Sequence, residues 1–179
     1  MKEVLIVGLV GNAGSGKTTV ANHLVSKGFL KIGFTDALKE MLLKAGILKY
    51  EELYIKKTYV SRWFMQKIGT DVIRNQIDQQ WWIKKLDKKI KTLMDHGFNK
   101  FVVDDIRFPD EAAFIKDRGG ILIKIKRKLL FHSTVYEHES EKQIPLISCD
   151  YEVDNIYSVK DLLKQVDTIL EMEFQGQIN

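Results

Sequence analysis

Short apolar runs alternate with amphipathic segments along most of the chain. Residues 4–10, VLIVGLV, are apolar or glycine throughout, with no polar residue between them. Such a run predicts a strand that is buried on both faces, as in a parallel sheet. Further short strands are predicted at 29–34, 101–103, 121–126 and 151–153. Because helical patterns separate these runs, we expect an α/β fold with a five-stranded parallel sheet, flanking helices and right-handed crossovers.

Two stretches depart from this alternation. Residues 50–95 are predicted to be mostly helical, and WWIKKLDKKIKTLM within them places its apolar residues on one stripe and its lysines elsewhere. Residues 128–148 are polar and irregular, without a clear period. A chain of 179 residues suits a single domain, 1–179, in which these two stretches are the parts expected to move.

The composition is that of a soluble globular protein, with 45% hydrophobic and 29% charged residues. A net charge of +4 suits phosphorylated ligands and leaves a weak affinity for nucleic acid open. Cys149 is the only cysteine, so an intramolecular disulfide is excluded and a reducing compartment is expected. The longest early apolar run is too short to span a membrane and lacks the layout of a signal peptide. We therefore expect a cytoplasmic protein without a membrane partner.

Residues 11–18 read GNAGSGKT and match the phosphate-binding pattern G-x-x-x-x-G-K-[ST]. A predicted strand precedes the motif and a predicted helix follows it. The glycines let backbone N–H groups turn inward around phosphate oxygens, and the helix adds its positive N-terminal end. In this pattern Lys17 reaches the β- and γ-phosphates and Thr18 ligates Mg²⁺. The alternative, a tight turn without a ligand, does not require Lys-Thr at that spacing.

The motif indicates triphosphate binding without fixing the reaction. A regulatory GTPase needs a guanine-reading Asn-Lys-x-Asp sequence, whereas Asn99-Lys100 continues with Phe-Val. The Asp-x-x-Gly match at 117–120 lies in a predicted helix-to-strand turn, and we interpret it as chance. A large motor ATPase needs more chain. The residues therefore favour a small kinase.

Charged side chains follow the predicted third strand. Asp104 and Asp105 end its apolar run, and ligands bind at the carboxyl ends of strands in such sheets. A carboxylate there would hold Mg²⁺ through water, and Arg107 stands two residues further on. The alternatives are helix-capping or solvated aspartates and, for Arg107, a salt bridge to Asp110 or Glu111.

Two of the five arginines, Arg62 and Arg74, fall within 50–95. Guanidinium forks bind phosphate through paired hydrogen bonds, so these arginines suggest a clamp for a second phosphate; surface arginines are the alternative. Asp36, after the second predicted strand, would act as a general base for an alcohol acceptor. A phosphate monoester is already ionised at neutral pH and needs no base. The alternative to any substrate role for Asp36 is a helix N-cap.

The chain resembles the deoxynucleoside monophosphate kinases of the P-loop kinase superfamily, which are found largely in bacteriophages. The matching stretches run in order over most of the chain and read GLVGNAGSGKTTVANHL, FTDALKEML, MQKIGTDVIR, DQQWWI, VVDDIRFPDEAAFI, GGILIKIKR and HES at 138–140. Many unrelated kinases share the P-loop alone. The specific part is IGTDVIR, then WW, then DDIRFPDEA.

The resemblance implies transfer of the γ-phosphoryl group of ATP to a deoxynucleoside monophosphate, with Mg²⁺ as cofactor. It implies a P-loop kinase fold with a helical monophosphate-binding insertion at about 50–95 and a short lid at about 128–148. It suggests a homodimer, small-molecule nucleotide substrates and no nucleic-acid partner. The residues expected to be catalytic are Lys17, Arg62, Asp104 and Arg107, and those expected to ligate the metal are Thr18 and Asp104.

The two nucleotide sites draw on both the motifs and the resemblance. The expected ATP site comprises Gly11, Asn12, Ala13, Gly14, Ser15, Gly16, Lys17, Thr18, Thr19, Arg127 and Asn155, with Asn155 at the adenine. The expected acceptor site comprises Asp36, Lys39, Arg62, Gln66, Gly69, Thr70, Arg74, Trp82, Asp104, Asp105 and Arg107. Lys126 and Arg127 would begin the lid, where Lys126 or Lys128 would replace the further arginines of a multi-arginine lid. His138, Glu139 and Ser140 match the family pattern without an assigned role.

Three functions stay open on this basis. The first is the deoxynucleotide kinase, which Arg62 and Arg74 favour. The second is a kinase for another small phosphate or an alcohol, of the phosphomevalonate or gluconate type, which an essential Asp36 would favour. The third is a non-catalytic nucleic-acid-binding module that uses the lysines at 84–91, although these are more simply a solvated helix face.

Overall fold

A computed structural model of the chain describes residues 4–56, 58–127 and 138–175. It divides into two compact units, one formed by Met1–Gly33 with Leu93–Asn179 and the other by Phe34–Thr92. The single domain over 1–179 stays a prediction of the sequence. The helices in chain order are α1 (Lys17–Ser26), α2 (Asp36–Lys44), α3 (Tyr59–Gln66), α4 (Trp81–Asp95), α5 (Pro109–Lys116), α6 (Glu139–Lys142) and α7 (Val159–Phe174).

The first unit is built around a five-stranded sheet. Its strands are β1 (Leu5–Val10), β2 (Leu30–Ile32), β3 (Lys100–Val103), β4 (Ile121–Lys126) and β5 (Tyr151–Asp154), in the order β2-β3-β1-β4-β5. Every neighbouring pair is parallel, which confirms the predicted α/β fold. Because β1 is the central strand, all six of its residues are buried, as its unbroken apolar run predicts.

Helices cover both faces of β1. Leu5, Val7 and Leu9 belong to the apolar cluster that includes residues of α1 and α7. On the other face α5 packs against β1 and β4. The backbone is crowded there, since a Cβ added to Gly8 would lie 2.6 Å from side-chain atoms of both Ile106 and Leu122. This central packing holds the carboxyl end of β1, where the glycine-rich loop begins.

The second unit is helical, as predicted for most of 50–95. Besides α2, α3 and most of α4 it contains two π-helical segments, Glu51–Ile55 and Lys67–Ile77, the second of which continues directly from α3. The expectation of an N-cap at Asp36 is wrong in detail. Thr35 occupies the N-cap position without a side-chain cap hydrogen bond, and Asp36 is the first helical residue.

The predicted irregular stretch 128–148 is described only from residue 138 onward, so residues 128–137 of the expected lid, which include Lys128, lie outside the described residues. The expectation of irregular structure is wrong for residues 139–146. α6 and a 3₁₀ turn at Ile144–Leu146 are helical. His138 stabilises the start of α6, since its ring nitrogen accepts a hydrogen bond from the Ser140 N–H.

Among residues 4–56, 58–127 and 138–175, no helix is both long enough and apolar enough to cross a membrane.

Candidate active site

The glycine-rich loop between β1 and α1 has a backbone that side chains would obstruct. Gly16, directly before α1, has φ of +112°, a conformation that residues with a Cβ rarely adopt. A Cβ at Gly16 would also lie 2.7 Å from the side-chain nitrogen of Asn155, and one at Gly11 would lie 2.6 Å from the carbonyl oxygen of Ile125. The glycines predicted to shape a phosphate cradle are therefore required by the folded loop itself.

Three cationic side chains converge on carbonyl oxygens of this loop. Lys17 Nζ donates to Gly11 O at 2.6 Å and to Asn12 O at 2.8 Å. Arg107 Nη1 donates to Gly11 O at 3.2 Å, and Arg127 Nη1 donates to Gly14 O at 3.2 Å. The structure thus brings three predicted site residues from three separate parts of the chain to one loop. The same donors suit the oxygens of a phosphate chain.

The buried hydroxyl of Ser15 supports a phosphate ligand. Its Oγ has no hydrogen-bond partner within the part of the chain that the structure describes, although only 2% of the residue is exposed. A buried polar atom without a partner is costly, so a ligand that completes it is favoured. Lys17, Gly16 and Ser15 together therefore fit a triphosphate.

Asn155 has a contact that the sequence did not predict. Its side-chain Nδ2 donates to Ser15 O at 2.8 Å, and its backbone N–H donates to Lys126 O at 2.7 Å. The residue thereby joins the loop after β5 to the phosphate-binding loop. The adenine contact expected of Asn155 stays a prediction.

The two aspartates after β3 occupy different environments. Asp104 Oδ2 lies 2.6 Å from Lys31 Nζ on β2. The carboxylate of Asp105 lies directly against Gly33, where an added Cβ would come within 2.6 Å of Oδ2. Gly33 therefore admits Asp105 to the carboxyl end of β2. The metal-binding role expected of Asp104 stays a prediction, as does that of Thr18, which is exposed near the start of α1.

Arg107 forms an ion pair that the sequence did not identify. Its Nη1 lies 3.1 Å from Glu141 Oε1, whereas the salt bridge considered from the sequence was to Asp110 or Glu111. Glu111 instead accepts hydrogen bonds from the backbone N–H groups of Arg107 and Phe108. No sequence signal singles out Glu141 beyond its position directly after the HES motif.

A cleft of about 410 Å³ opens beside the phosphate-binding loop. This volume is within the range of small-ligand sites. Its walls combine basic and apolar side chains from the ends of β4 and β5 and from the turn after α6. The lining residues are Gly11, Asn12, Ser15, Lys124, Ile125, Lys126, Arg127, Ile144, Pro145, Asp154 and Ile156.

In the second unit, Asp36 is the centre of a charged cluster. Its two carboxylate oxygens pair with Lys89 Nζ at 2.8 Å and with Lys39 Nζ at 3.4 Å. The Lys39 ammonium also lies 5.6 Å from the centre of the Tyr54 ring. Both carboxylate oxygens of Asp36 are therefore engaged by lysines of the same unit.

The remaining predicted acceptor residues differ in exposure. Trp82 is buried and its Nε1–H donates to Gly69 O at 2.8 Å, so it fastens α4 to the preceding π-helical segment. Arg74 is also buried and donates to Gln79 O at 3.0 Å. Arg62 on α3 is exposed and Gln66 is partly exposed, whereas Thr70 is buried. The expectation that Arg62 and Arg74 form a clamp for a second phosphate stays a prediction.

The family model for deoxynucleotide monophosphate kinases matches residues 34–166, well over half of the chain. The chain belongs to the deoxynucleotide monophosphate kinase family. As a member of that family, it is a P-loop nucleotide kinase. The match begins after residues 11–18, so the phosphate-binding loop and the family assignment are separate observations that agree.

Known proteins of this family match the chain over different shares of their own length. The chain is 32% identical to a putative deoxynucleotide monophosphate kinase of Acanthamoeba polyphaga mimivirus, over 91% of the chain and 94% of that protein. It is 27% identical to the deoxynucleotide monophosphate kinase of Escherichia phage RB69, over 65% of the chain and 47% of that protein. For the enzyme of Enterobacteria phage T4 the identity is 24%, over 78% of the chain and 58% of that protein. The chain thus spans about half the length of the phage enzymes.

Solved structures of other kinases share the fold of this family member. The dephospho-CoA kinase of Campylobacter jejuni superimposes with a TM-score of 0.56 at 19% identity, over 97% of this chain and 98% of that one. The shikimate kinase of Aquifex aeolicus gives a TM-score of 0.52 at 18% identity, over 96% and 99%. At these identities the likeness confirms the predicted P-loop kinase fold and nothing finer.

Proposed function

We propose that the protein transfers the γ-phosphoryl group of ATP to a deoxynucleoside monophosphate, giving the diphosphate and ADP. The observation that carries this proposal is the convergence of Lys17, Arg107 and Arg127 on a phosphate-binding loop in a chain of this family. The viral and phage sources of the relatives support small nucleotides as substrates in the host cytoplasm. The homodimer stays an open expectation.

The donor triphosphate would be held by the P-loop. Backbone N–H groups of the loop and the N-terminus of α1 would face its phosphates, and the Ser15 hydroxyl would gain the partner that it lacks among the described residues. Lys17 exchanges the carbonyl oxygens of Gly11 and Asn12 for β- and γ-phosphate oxygens. Thr18 and Asp104 would hold Mg²⁺, which neutralises charge on the phosphates.

The transfer step requires positioning rather than proton removal. A phosphate oxygen of the acceptor attacks the γ-phosphorus, and the bond from that phosphorus to the β–γ bridging oxygen breaks, leaving the electron pair on ADP. The acceptor monoester is ionised at neutral pH and needs no base. Lys17 and Arg107 stabilise the charge that develops on the transferring group. For the acceptor phosphate, the sequence predicts a guanidinium fork from Arg62.

A coupled assay of ADP release tests the proposal. The four common deoxynucleoside monophosphates are assayed beside their ribose counterparts and beside a phosphorylated and an unphosphorylated alcohol, each with and without Mg²⁺. We expect turnover of at least one deoxynucleoside monophosphate. Turnover of a non-nucleotide acceptor alone would instead identify a kinase for another small phosphate or alcohol.

A further inference from the structure

The HES motif and the residue after it lie beside Arg107 in the first unit. His138 occupies the N-cap position of α6, and its Nδ1 lies 2.9 Å from Ser140 Oγ and accepts a hydrogen bond from Ser140 N at 3.2 Å. Two contacts thus fix the first turn of this four-residue helix. The turn directs Glu141 inward, where it is 7% exposed.

Glu141 has one used and one unused carboxylate oxygen. Oε1 lies 3.1 Å from Arg107 Nη1, whereas Oε2 is buried without a hydrogen-bond partner among the described residues. The same Arg107 nitrogen donates to Gly11 O of the P-loop. One guanidinium nitrogen therefore contacts both the P-loop and Glu141, while the second carboxylate oxygen of Glu141 can still accept a hydrogen bond.

We propose that residues 138–141 form an arginine holder, in which His138 and Ser140 fix the turn and Glu141 positions the Arg107 guanidinium beside the P-loop. Glu141 is a positioning residue that acts through Arg107. When phosphate replaces the Gly11 carbonyl as a partner of Arg107, Glu141 Oε2, which has no hydrogen-bond partner among the described residues, becomes available to accept a guanidinium N–H. The kinetic part of this inference rests on the proposed function.

Charge and burial explain why a holder is needed. Arg107 projects from a loop after β3, and a long side chain loses considerable conformational freedom when it is fixed in one position. Without the anion of Glu141, the neutral Gly11 carbonyl would have to orient the guanidinium. The ion pair with Glu141 adds an electrostatic attraction that a neutral carbonyl does not supply.

The first test uses the protein without nucleotide. Phenylglyoxal, which modifies arginine, is applied to wild type, Glu141→Gln and Glu139→Gln, and the modification of each arginine is followed by peptide mass spectrometry. Glu139 is the matched control, because it is exposed on the same turn and loses the same charge. We expect Arg107 to react on the order of tenfold faster in Glu141→Gln, and Arg118 to be unchanged as the internal reference. Equal rates at Arg107 in all three proteins would overturn the proposal.

The second test is a double-mutant cycle in the kinase assay. Glu141→Gln should lower kcat about tenfold with little change in the KM for ATP, since the interaction acts on the transferring group. In an Arg107→Gln background the same substitution should have no further effect. An equal loss in both backgrounds would show a structural role for Glu141 that is independent of Arg107 and would overturn the proposal.

Two additions keep these tests decisive. If Glu141→Gln fails to fold, as judged by circular dichroism, Ser140→Ala takes its place, since it removes the His138–Ser140 side-chain contact and should raise Arg107 modification by a smaller factor. If wild type turns over no deoxynucleoside monophosphate, the proposed function fails, whereas the nucleotide-free modification still decides whether Glu141 holds Arg107.

Discussion

The side-chain amide of Asn155 donates to the carbonyl oxygen of Ser15 across 2.8 Å, and thereby joins the loop after β5 to the P-loop. Its nitrogen also fills the space above Gly16, where a Cβ would approach it to 2.7 Å. The loop after β5 therefore helps to set the shape of the phosphate cradle, even though Asn155 and Ser15 are 140 positions apart in the sequence.

This contact predicts consequences of different size for two substitutions of Asn155. Asn155→Asp replaces the donor with an acceptor that faces a carbonyl oxygen, so the affinity for ATP should fall on the order of tenfold. Asn155→Ala should be milder, because it removes the donor without placing a second acceptor against the Ser15 carbonyl. Titration calorimetry with a non-hydrolysable ATP analogue measures both, with Asn22→Asp on the exposed face of α1 as the control. Equal affinity of the Asp and wild-type proteins would contradict this role.

Lys17→Ala should lower kcat by about 10²-fold or more, because it removes a charge that stabilises the transferring phosphoryl group. The fold should persist, since the loop carbonyls of Gly11 and Asn12, which accept from Lys17, can bind water instead. Steady-state kinetics and circular dichroism check the two statements. The control is Lys160→Ala, which removes the same charge as Lys17→Ala at the exposed start of α7. Wild-type turnover by Lys17→Ala would refute the kinase assignment of the P-loop.

Arg62→Lys and Asp36→Asn should separate a phosphate acceptor from an alcohol. Lysine keeps the charge of Arg62 but loses the fork, so the KM for the monophosphate should rise on the order of tenfold while the KM for ATP stays near wild type. Asp36→Asn should lower the melting temperature, because it breaks pairs with Lys39 and Lys89, but it should leave most of kcat. An indispensable Asp36 beside an unimportant Arg62 would indicate an alcohol acceptor.

Trp82→Phe should destabilise the protein by roughly 1–3 kcal/mol, because it leaves the buried Gly69 carbonyl without its donor. Urea unfolding followed by circular dichroism measures the change in free energy. Trp81→Phe is the control, since the Trp81 side chain is exposed and its ring centre lies 5.0 Å from the Lys85 ammonium. If the two variants lose the same stability, the Trp82–Gly69 hydrogen bond is not the cause.

Cys149 should resist alkylation at neutral pH. Burial raises the pKa of its thiol to about 11, and a raised pKa disfavours the reactive thiolate until the pH approaches that value. The iodoacetamide rate of the folded protein should therefore keep rising through about pH 10. In urea, where the thiol has its ordinary pKa of about 8.5, the rate should level off above about pH 9. A plateau near that lower pH in the folded protein would contradict the burial of this thiol.

Local pattern was sufficient for the fold class and for locating the glycine-rich loop between the first strand and the first helix. The apolar run at 4–10 identified the central strand, and the spacing of residues 11–18 identified the P-loop, because both depend on contiguous residues and on backbone geometry. The family resemblance added the acceptor, and the family model supports it.

Contacts between distant residues had to come from the tertiary structure. No spacing rule links Asn155 to Ser15 or Arg107 to Glu141, since parallel strands bring remote loops to one edge of a sheet only after the crossovers are made. The irregular polar pattern around residue 140 also gave no sign of the capped helical turn there, because a four-residue helix is too short to show a hydrophobic period. The sequence therefore determined which groups could bind phosphate, and the fold decided which neighbours hold them in place.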